Sequence, residues 1–179
     1  VVAHKKMKNE VASKAVYEDI KGLKTVGIIN ENRVKKYVEI AAPFGVVAAI
    51  IPTTNPTSTA IFKALIALKT RNAIVVSPHP YAVNCTEAAL KICDDAAVAA
   101  GAPPGLIQCL TKKTMAATET LMKHEKTHVI LATGGGGLVR AAYSSGKPAY
   151  GVGPGNVPVY IDKTARLEQA LKHVVESKS

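Results

Sequence analysis

The sequence predicts an α/β protein, a parallel sheet with helices on both faces, preceded by an N-terminal helix and a β-hairpin excursion. Three observations predict it. Continuous β-branched runs, such as GVVAAII at 45–51 and AIVVS at 73–77, have the pattern of strands buried on both faces. Each run is followed by a segment of helical periodicity long enough for a crossover, and the alternation repeats about four times. Most of the 13 glycines fall in THVILATGGGGLVRAAYSSGKPAYGVGPGN, 127–156, where strands should give way to helices.

In chain order, 1–18 reads as an amphipathic helix. KTVGIIN (24–30) and RVKKYVEIAA (33–42) read as a hairpin turning at Asn30-Glu31-Asn32. After the 45–51 strand, Pro56 marks the threshold of a helix through AIFKALIALK, with Thr57 or Ser58 as its cap. AIVVS ends at Pro78-His79-Pro80 and leads into a long helix over 81–101, which Gly101 closes. LIQCL (106–110) is expected as a mid-sheet strand, ATETLMKH (117–124) as a helix and THVILAT (127–133) as a strand. A helix follows from about Leu138 to Ser145, then short strands at PAYGV (148–152) and VPVYI (157–161). ARLEQALKHVVESK (165–178) closes the chain as a helix with Asp162 or Thr164 near its cap.

Residues 1–23 are thus expected as a helical segment, 24–42 as the hairpin and 43–179 as one ligand-binding domain. Ala, Val, Ile and Leu carry the core: hydrophobic residues make up 47% of the 179 residues, aromatic residues 4%, and there is no Trp. No apolar run approaches the roughly 20 residues of a membrane span, and no signal-peptide layout is present. The sequence opens as if in the middle of a helix, without Met, and is expected to be a fragment.

Cys85, Cys93 and Cys109 form no CxxC pair, which fits buried thiols in a reducing cytoplasm. The five histidines share no ligand spacing with them, so no metal site is expected. The net charge of +10 lies in lysine clusters, KKMK at 5–8, RVKK at 33–36 and Lys112-Lys113. Without the aromatics or Arg-rich reading helix of a nucleic-acid binder, that charge favours solvated faces or an anionic ligand such as a dinucleotide or coenzyme A.

Ligands of parallel sheets bind at the carboxyl ends of strands, here Pro52–Pro56, Ser77–Pro80, Thr111–Thr114, Thr133–Gly137 and Val152–Asn156. The glycines match no phosphate-loop pattern. From Gly134, GxGxxG fails because Val139 takes the sixth position, and Gly146-Lys147 lacks the upstream glycine of a GxxxxGK loop. The acid expected about 20 residues beyond the first loop, which follows the 45–51 strand, to hold a ribose hydroxyl, is also missing; Ser77 and His79 stand near that distance. Their position still leaves N–H groups open to a phosphate, so both a ligand cradle and a plain turn remain open on local grounds.

Several stretches together resemble the aldehyde dehydrogenase superfamily, and within it the coenzyme A-acylating branch: EIAAPFGVVAAIIPTTNPTSTAIFKALIALKTRNAIVVSPHP (39–80), GAPPGLIQCL (101–110) and THVILATGGGGLVRAAYSSGKPAYGVGPGNVPVYID (127–162). The resemblance implies a Rossmann-like cofactor domain, a separate catalytic domain absent from this chain, and oligomer contacts through the 24–42 hairpin.

By position in the motifs, it places the cofactor at Pro52, Thr53 and Thr54, at Ser77 and His79, at Thr133, Gly134, Gly135 and Leu138, and at Val152 and Gly153. Hydrolytic relatives carry Lys and Glu after the second strand. Ser77 and Pro80 replace them here. Those relatives also hold a glutamate, which activates water, where this chain has Gly151. A missing base fits acyl transfer to coenzyme A, whose thiolate needs less activation than water.

The implied chemistry is attack of a cysteine thiolate on an aldehyde, hydride transfer to NAD (or NADP), and removal of the acyl group by coenzyme A. Asn55 is the oxyanion candidate, although hydrolytic relatives place their Asn where Thr54 falls. The nucleophilic cysteine is implied shortly beyond Ser179, so the chain alone is expected to be inactive. The whole protein is expected to be a cytoplasmic homo-oligomer acting on a small aldehyde. The alternatives are another thioester-forming enzyme, for propionaldehyde, succinate semialdehyde or sulfoacetaldehyde, and a non-enzymatic dinucleotide or nucleic-acid binding module.

Overall fold

The computed structural model describes residues 2–153, 155 and 158–178. An N-terminal helix runs as α1 (Val2–Glu10), a π turn (Val11–Ala15) and α2 (Val16–Lys21). A hairpin of β1 (Gly27–Asn32) and β2 (Tyr37–Ala41) forms a separate two-stranded sheet. The other strands are β3 (Val46–Ile50), β4 (Ala73–Ser77), β5 (Ile107–Cys109), β6 (Val129–Thr133) and β7 (Ala149–Val152). They form one sheet in the order β5-β4-β3-β6-β7, and every neighbouring pair is parallel.

That order places the first strand of the sheet in its centre and sends the chain outward first on one side, then on the other. It is the Rossmann arrangement, with its switch point between β3 and β6. The connecting helices are α3 (Pro56–Lys69), α4 (Val83–Ala99), α5 (Met115–Lys123) and α6 (Gly136–Tyr143), and α7 (Leu167–Lys178) ends the chain.

The two faces carry two cores. On one, Val47, Ala49, Ile74 and Val76 pack with Ala60 and Ala64 of α3 and Leu90 of α4. On the other, Ala48, Ile50, Ile130 and Ala132 pack with Met122 of α5 and Ala142 of α6. Successive strand residues point to opposite faces, and both faces are covered, which is why the central strands read as unbroken apolar runs. The fully buried alanines of β3 and α3 let helix and sheet approach closely.

Several expectations are corrected. The hairpin turn lies at 33–36, not at Asn30–Asn32. β1 runs through Asn32, whose Oδ1 accepts from the Lys35 N–H at 2.8 Å, and Lys36 takes the left-handed conformation at φ 54°. Asn55, not Thr57 or Ser58, occupies the N-cap of α3, with Pro56 in its first turn; Thr57 instead bonds Asn9 Oδ1 of α1 at 2.7 Å.

β5 is an edge strand, so Cys109 is not mid-sheet. α6 begins at Gly136, two residues before Leu138. Residues 158–161 form no strand, and Val157 lies outside the described residues. α7 starts at Leu167, beyond the local turn in which Asp162 Oδ1 accepts from the N–H and hydroxyl of Thr164 at 2.9 and 2.7 Å.

Candidate functional site at the carboxyl edge of the sheet

The switch point is tied by one side chain that the sequence reading did not single out. Lys63 of α3 is a charged-type residue with only 3% of its surface exposed. Its Nζ donates to Ile50 O of β3 at 2.8 Å and to Leu131 O of β6 at 2.7 Å. Burial pulls its pKa down from the ordinary lysine value to about 7. Lys63 lies on the same helical stripe as buried Ala60, Ala64 and Ala67, at the i, i+3, i+4, i+7 spacing of a core face. A lysine on that stripe is the signal that would have found it.

Beside the switch point, a cleft of about 60 Å³ opens between the end of β4 and the start of α5. Ile50, Ser77 and His79 line it from the strand ends, Lys113, Thr114 and Thr118 from the loop and helix after β5, and Leu138 from α6. Ser77 and Thr118 share a 2.7 Å hydrogen bond, and both are buried. Thr118 donates its single hydroxyl proton to Thr114 O at 3.1 Å, so Ser77 is the donor in the shared bond. The Ser77 oxygen keeps acceptor capacity towards the cleft.

His79 Nδ1 accepts from the Tyr81 N–H at 3.2 Å. That bond leaves the neutral ring's proton on Nε2 as a donor. Thr114 caps α5 by accepting from the Ala117 N–H at 3.1 Å. Lys113 pairs with Glu87 of α4 at 2.7 Å.

Gly134 serves packing. A Cβ there would meet Leu138 Cδ2 at 2.7 Å, so the glycine is what lets Leu138 fold down into the cleft wall. Gly135, Gly136 and Gly137 face open space, and the N–H groups that begin α6 are among those a helix leaves without intrahelical partners. The Gly134 N–H donates to Val152 O at 3.1 Å, which joins the ends of β6 and β7.

Gly151 stands inside β7 under α6. A Cβ there would fall 2.5 Å from Val139 Cγ1 and 3.0 Å from Tyr143 Cε2, and the Gly151 N–H already donates to the Tyr143 hydroxyl at 3.0 Å. The space a longer side chain would need is filled.

Of the residues expected at a cofactor, the cleft gathers Ser77, His79 and Leu138. Pro52, Thr53 and Thr54 follow β3, while Thr133, Gly134, Gly135, Val152 and Gly153 lie at the ends of β6 and β7, along the same edge but outside the enclosed part. Asn55 turns away from the cleft: its Oδ1 accepts from Lys8 Nζ of α1 at 2.7 Å, and Lys5 bonds Thr54 O. Lysine only donates, so Lys8 fixes which end of the amide faces it and presents Nδ2 elsewhere.

No cysteine lines the cleft. Burial raises the thiol pKa of Cys93. Burial foremost, with Glu87 nearby, raises that of Cys109. Among the described residues no group of three or more His, Cys, Asp or Glu is placed to hold a metal ion, and no helix is long and apolar enough to cross a membrane.

A larger cleft, about 800 Å³, lies on the opposite face between the N-terminal helix, α3 and α4. Its walls, including Ile61, Leu65, Leu68, Ile92 and Cys93, are almost wholly apolar. It offers few donors to a charged ligand, and it is not at the strand ends.

The sequence profile of the aldehyde dehydrogenase family matches residues 8–179. The chain belongs to the aldehyde dehydrogenase family. It is 50% identical over its full 179 residues to the bifunctional aldehyde-alcohol dehydrogenase AdhE of Escherichia coli strain K12, and it spans 20% of that protein's length. The acetylating aldehyde dehydrogenase of Geobacillus thermoglucosidasius has a similar solved structure, with 62% identity and a TM-score of 0.84 over 96% of this chain and 38% of that one.

The Rhodopseudomonas palustris propionaldehyde dehydrogenase with bound propionyl-CoA superposes with a TM-score of 0.70 at 31% identity, over 93% of this chain and 41% of that one. The aldehyde dehydrogenase chain thus spans about a fifth of the curated relative and about two fifths of these solved structures.

Proposed function

We propose that this chain is the cofactor-binding portion of a coenzyme A-acylating aldehyde dehydrogenase. The whole protein would convert a small aldehyde, coenzyme A and NAD into acyl-CoA and NADH through a cysteine thioester, and the chain alone would be inactive because the nucleophile is supplied from outside it. Gly151 is the observation that carries the reading.

Hydrolytic relatives hold their water-activating glutamate at this position, and a positioned base contributes typically about 10²–10⁴-fold. Val139 and Tyr143 close that space here, so a thioester would wait for an acyl acceptor that is a good nucleophile by itself, such as the thiolate of coenzyme A.

NAD, when bound, supplies the hydride acceptor. The chain's own residues fit that ligand. Ser77 offers an acceptor to a ribose hydroxyl, and His79 Nε2 offers a donor. Leu138, made possible by Gly134, would give the adenosine an apolar wall, and the first N–H groups of α6 would be open to the phosphates. Thr133, Gly134, Gly135, Val152 and Gly153 would form the outer rim of the same site, with Pro52–Thr54 across the switch point.

Asn55, oriented by Lys8, would donate through Nδ2 to the oxyanion formed when the thiolate adds to the aldehyde. Free thiols fit a cytoplasmic enzyme, and the exposed hairpin fits assembly into a homo-oligomer.

The test is NADH formation by the full-length protein with acetaldehyde, with and without coenzyme A. Formation only with coenzyme A is expected. Robust acetate release without it would overturn the reading of Gly151. Binding of random DNA by the chain, without binding of NAD or NADH, would favour the module without enzymatic activity instead.

A further inference from the structure

The cleft beside β4 has an unusual charge balance for a dinucleotide site, and this inference rests on the reading of that cleft as the adenosine pocket. In such folds a carboxylate near the end of the second strand accepts from the ribose diol and, by its charge, disfavours a phosphorylated ribose. Here no Asp or Glu lines the cleft, and the ionisable side chains in its wall are His79 and Lys113. The position where hydrolytic relatives carry lysine holds Ser77, whose hydroxyl is bound to Thr118 inside the protein.

A positive charge is nonetheless present. It arrives from a different element, the loop between β5 and α5, on Lys113. β5 pairs directly with β4, so this loop runs beside the Ser77–Pro80 segment and faces the same space. The sequence marks Lys113 as a strand-end lysine, but the β5–α5 loop is far along the chain from β4, so its place beside Ser77 follows from the fold alone.

Lys113 is held, not loose. Glu87 on α4 stands 2.7 Å from its Nζ yet does not line the cleft. Glu87 therefore steadies Lys113 from outside the lining while offsetting part of its charge. An ammonium has three donors, and one ion pair leaves two for a ligand. The amino-terminal turn of α5, capped by Thr114, adds a favourable partial charge for an anion at the same rim.

We infer that Lys113 is the specificity-determining residue that recognises a phosphomonoester on the secondary, 2′ or 3′, hydroxyl of the adenosine ribose, with His79 Nε2 as a second donor. The 2′-phosphate of NADP and the 3′-phosphate of coenzyme A share that chemistry, and the experiment separates them.

The 179-residue chain is titrated calorimetrically with adenosine 5′-monophosphate, adenosine 2′,5′-bisphosphate and adenosine 3′,5′-bisphosphate. At least one bisphosphate is expected to bind about tenfold or more tightly than the monophosphate, as befits a charge-assisted contact in a partly enclosed site. Lys113→Met should remove that increment, bringing the bisphosphates down to the affinity that the same variant has for the monophosphate. Lys113→Arg should keep most of it, and Glu87→Gln should enlarge it.

Preference for the 3′,5′ compound assigns the contact to coenzyme A, and preference for the 2′,5′ compound assigns it to NADP. Equal binding of all three ligands, or an increment that survives Lys113→Met, overturns the role of Lys113. Failure of every adenosine ligand to bind overturns the pocket itself, a different result.

Discussion

Replacing Gly151 with alanine adds one methyl group at the point where α6 lies closest to β7. The new Cβ would stand 2.5 Å from Val139 Cγ1 and 3.0 Å from Tyr143 Cε2, both closer than ordinary contact. Val139 is β-branched and held in one rotamer on its helix, so it cannot swing aside cheaply. Relief must come from displacing α6 or Tyr143, and moving Tyr143 gives up its 3.0 Å bond from the Gly151 N–H.

Overpacking of this kind costs about 1–3 kcal/mol and a net hydrogen bond about 0.5–1.5 kcal/mol. Together they give roughly 2–4 kcal/mol, or a fall in Tm of about 5–15 °C for a chain of this size. Scanning calorimetry of the chain reads the change directly. Adding Val139→Ala should recover part of the loss by vacating the space. A Tm for Gly151→Ala within about 1 °C of the parent would refute the reasoning, because it would show that the space is open. Gly151→Glu in the full-length protein would then become a plausible gain of hydrolysis, which the filled space otherwise forbids.

Two further outcomes are expected. Lys63 has an ordinary value in the unfolded chain and about 7 in the folded one. Between about pH 7 and the ordinary value near 10.5, the unfolded chain holds a proton that the folded one lacks. Stability should therefore rise with pH across that window, by at most a few kcal/mol from this residue, and denaturant midpoints should show the rise flattened in Lys63→Met; an unchanged slope would exclude Lys63 as its source.

Ser77 and Thr118 should be unequal partners. Thr118→Val strands the Ser77 proton in the interior and should cost about 1–3 kcal/mol, while Ser77→Ala leaves Thr118 still bonded to Thr114 O and should cost less. Urea midpoints that reverse this order would reassign the donor.

The central strands were legible because β3, β4 and β6 are covered on both sides and so cannot alternate. Pro56 and Gly101 marked helix ends by backbone chemistry alone. The hairpin turn was not legible. Asn32 bonds forward to Lys35 and Lys36 adopts a conformation usually left to glycine or asparagine, so the turn, 33–36, begins directly after the polar cluster that seemed to announce it. VPVYI has strand composition, but β-character needs a neighbour to pair with, and among the described residues β7 ends the sheet and 158–161 pair with no strand.

Within the site, Ser77 and His79 could be placed because strand ends can be counted. Lys113 could be counted to a strand end in the same way, but only the adjacency of β4 and β5 brings it, with Thr118, beside Ser77 and His79. Lys63 carried a readable signal, a charge on an alanine stripe.

The two-stranded ribbon leads to an expected dependence of this chain's self-contact on ionic strength. Its two strands form a sheet of their own, so both edges offer backbone groups to any passing strand, and Ile28, Ile29, Val38 and Ile40 are exposed on it. Opposing contact between copies is the net charge of +10, whose repulsion reaches about 10 Å at 0.1 M salt and only about 3 Å at 1 M. Screening of that charge by added salt is therefore expected to favour contact between ribbons of isolated chains, and light scattering that does not change with ionic strength would contradict it.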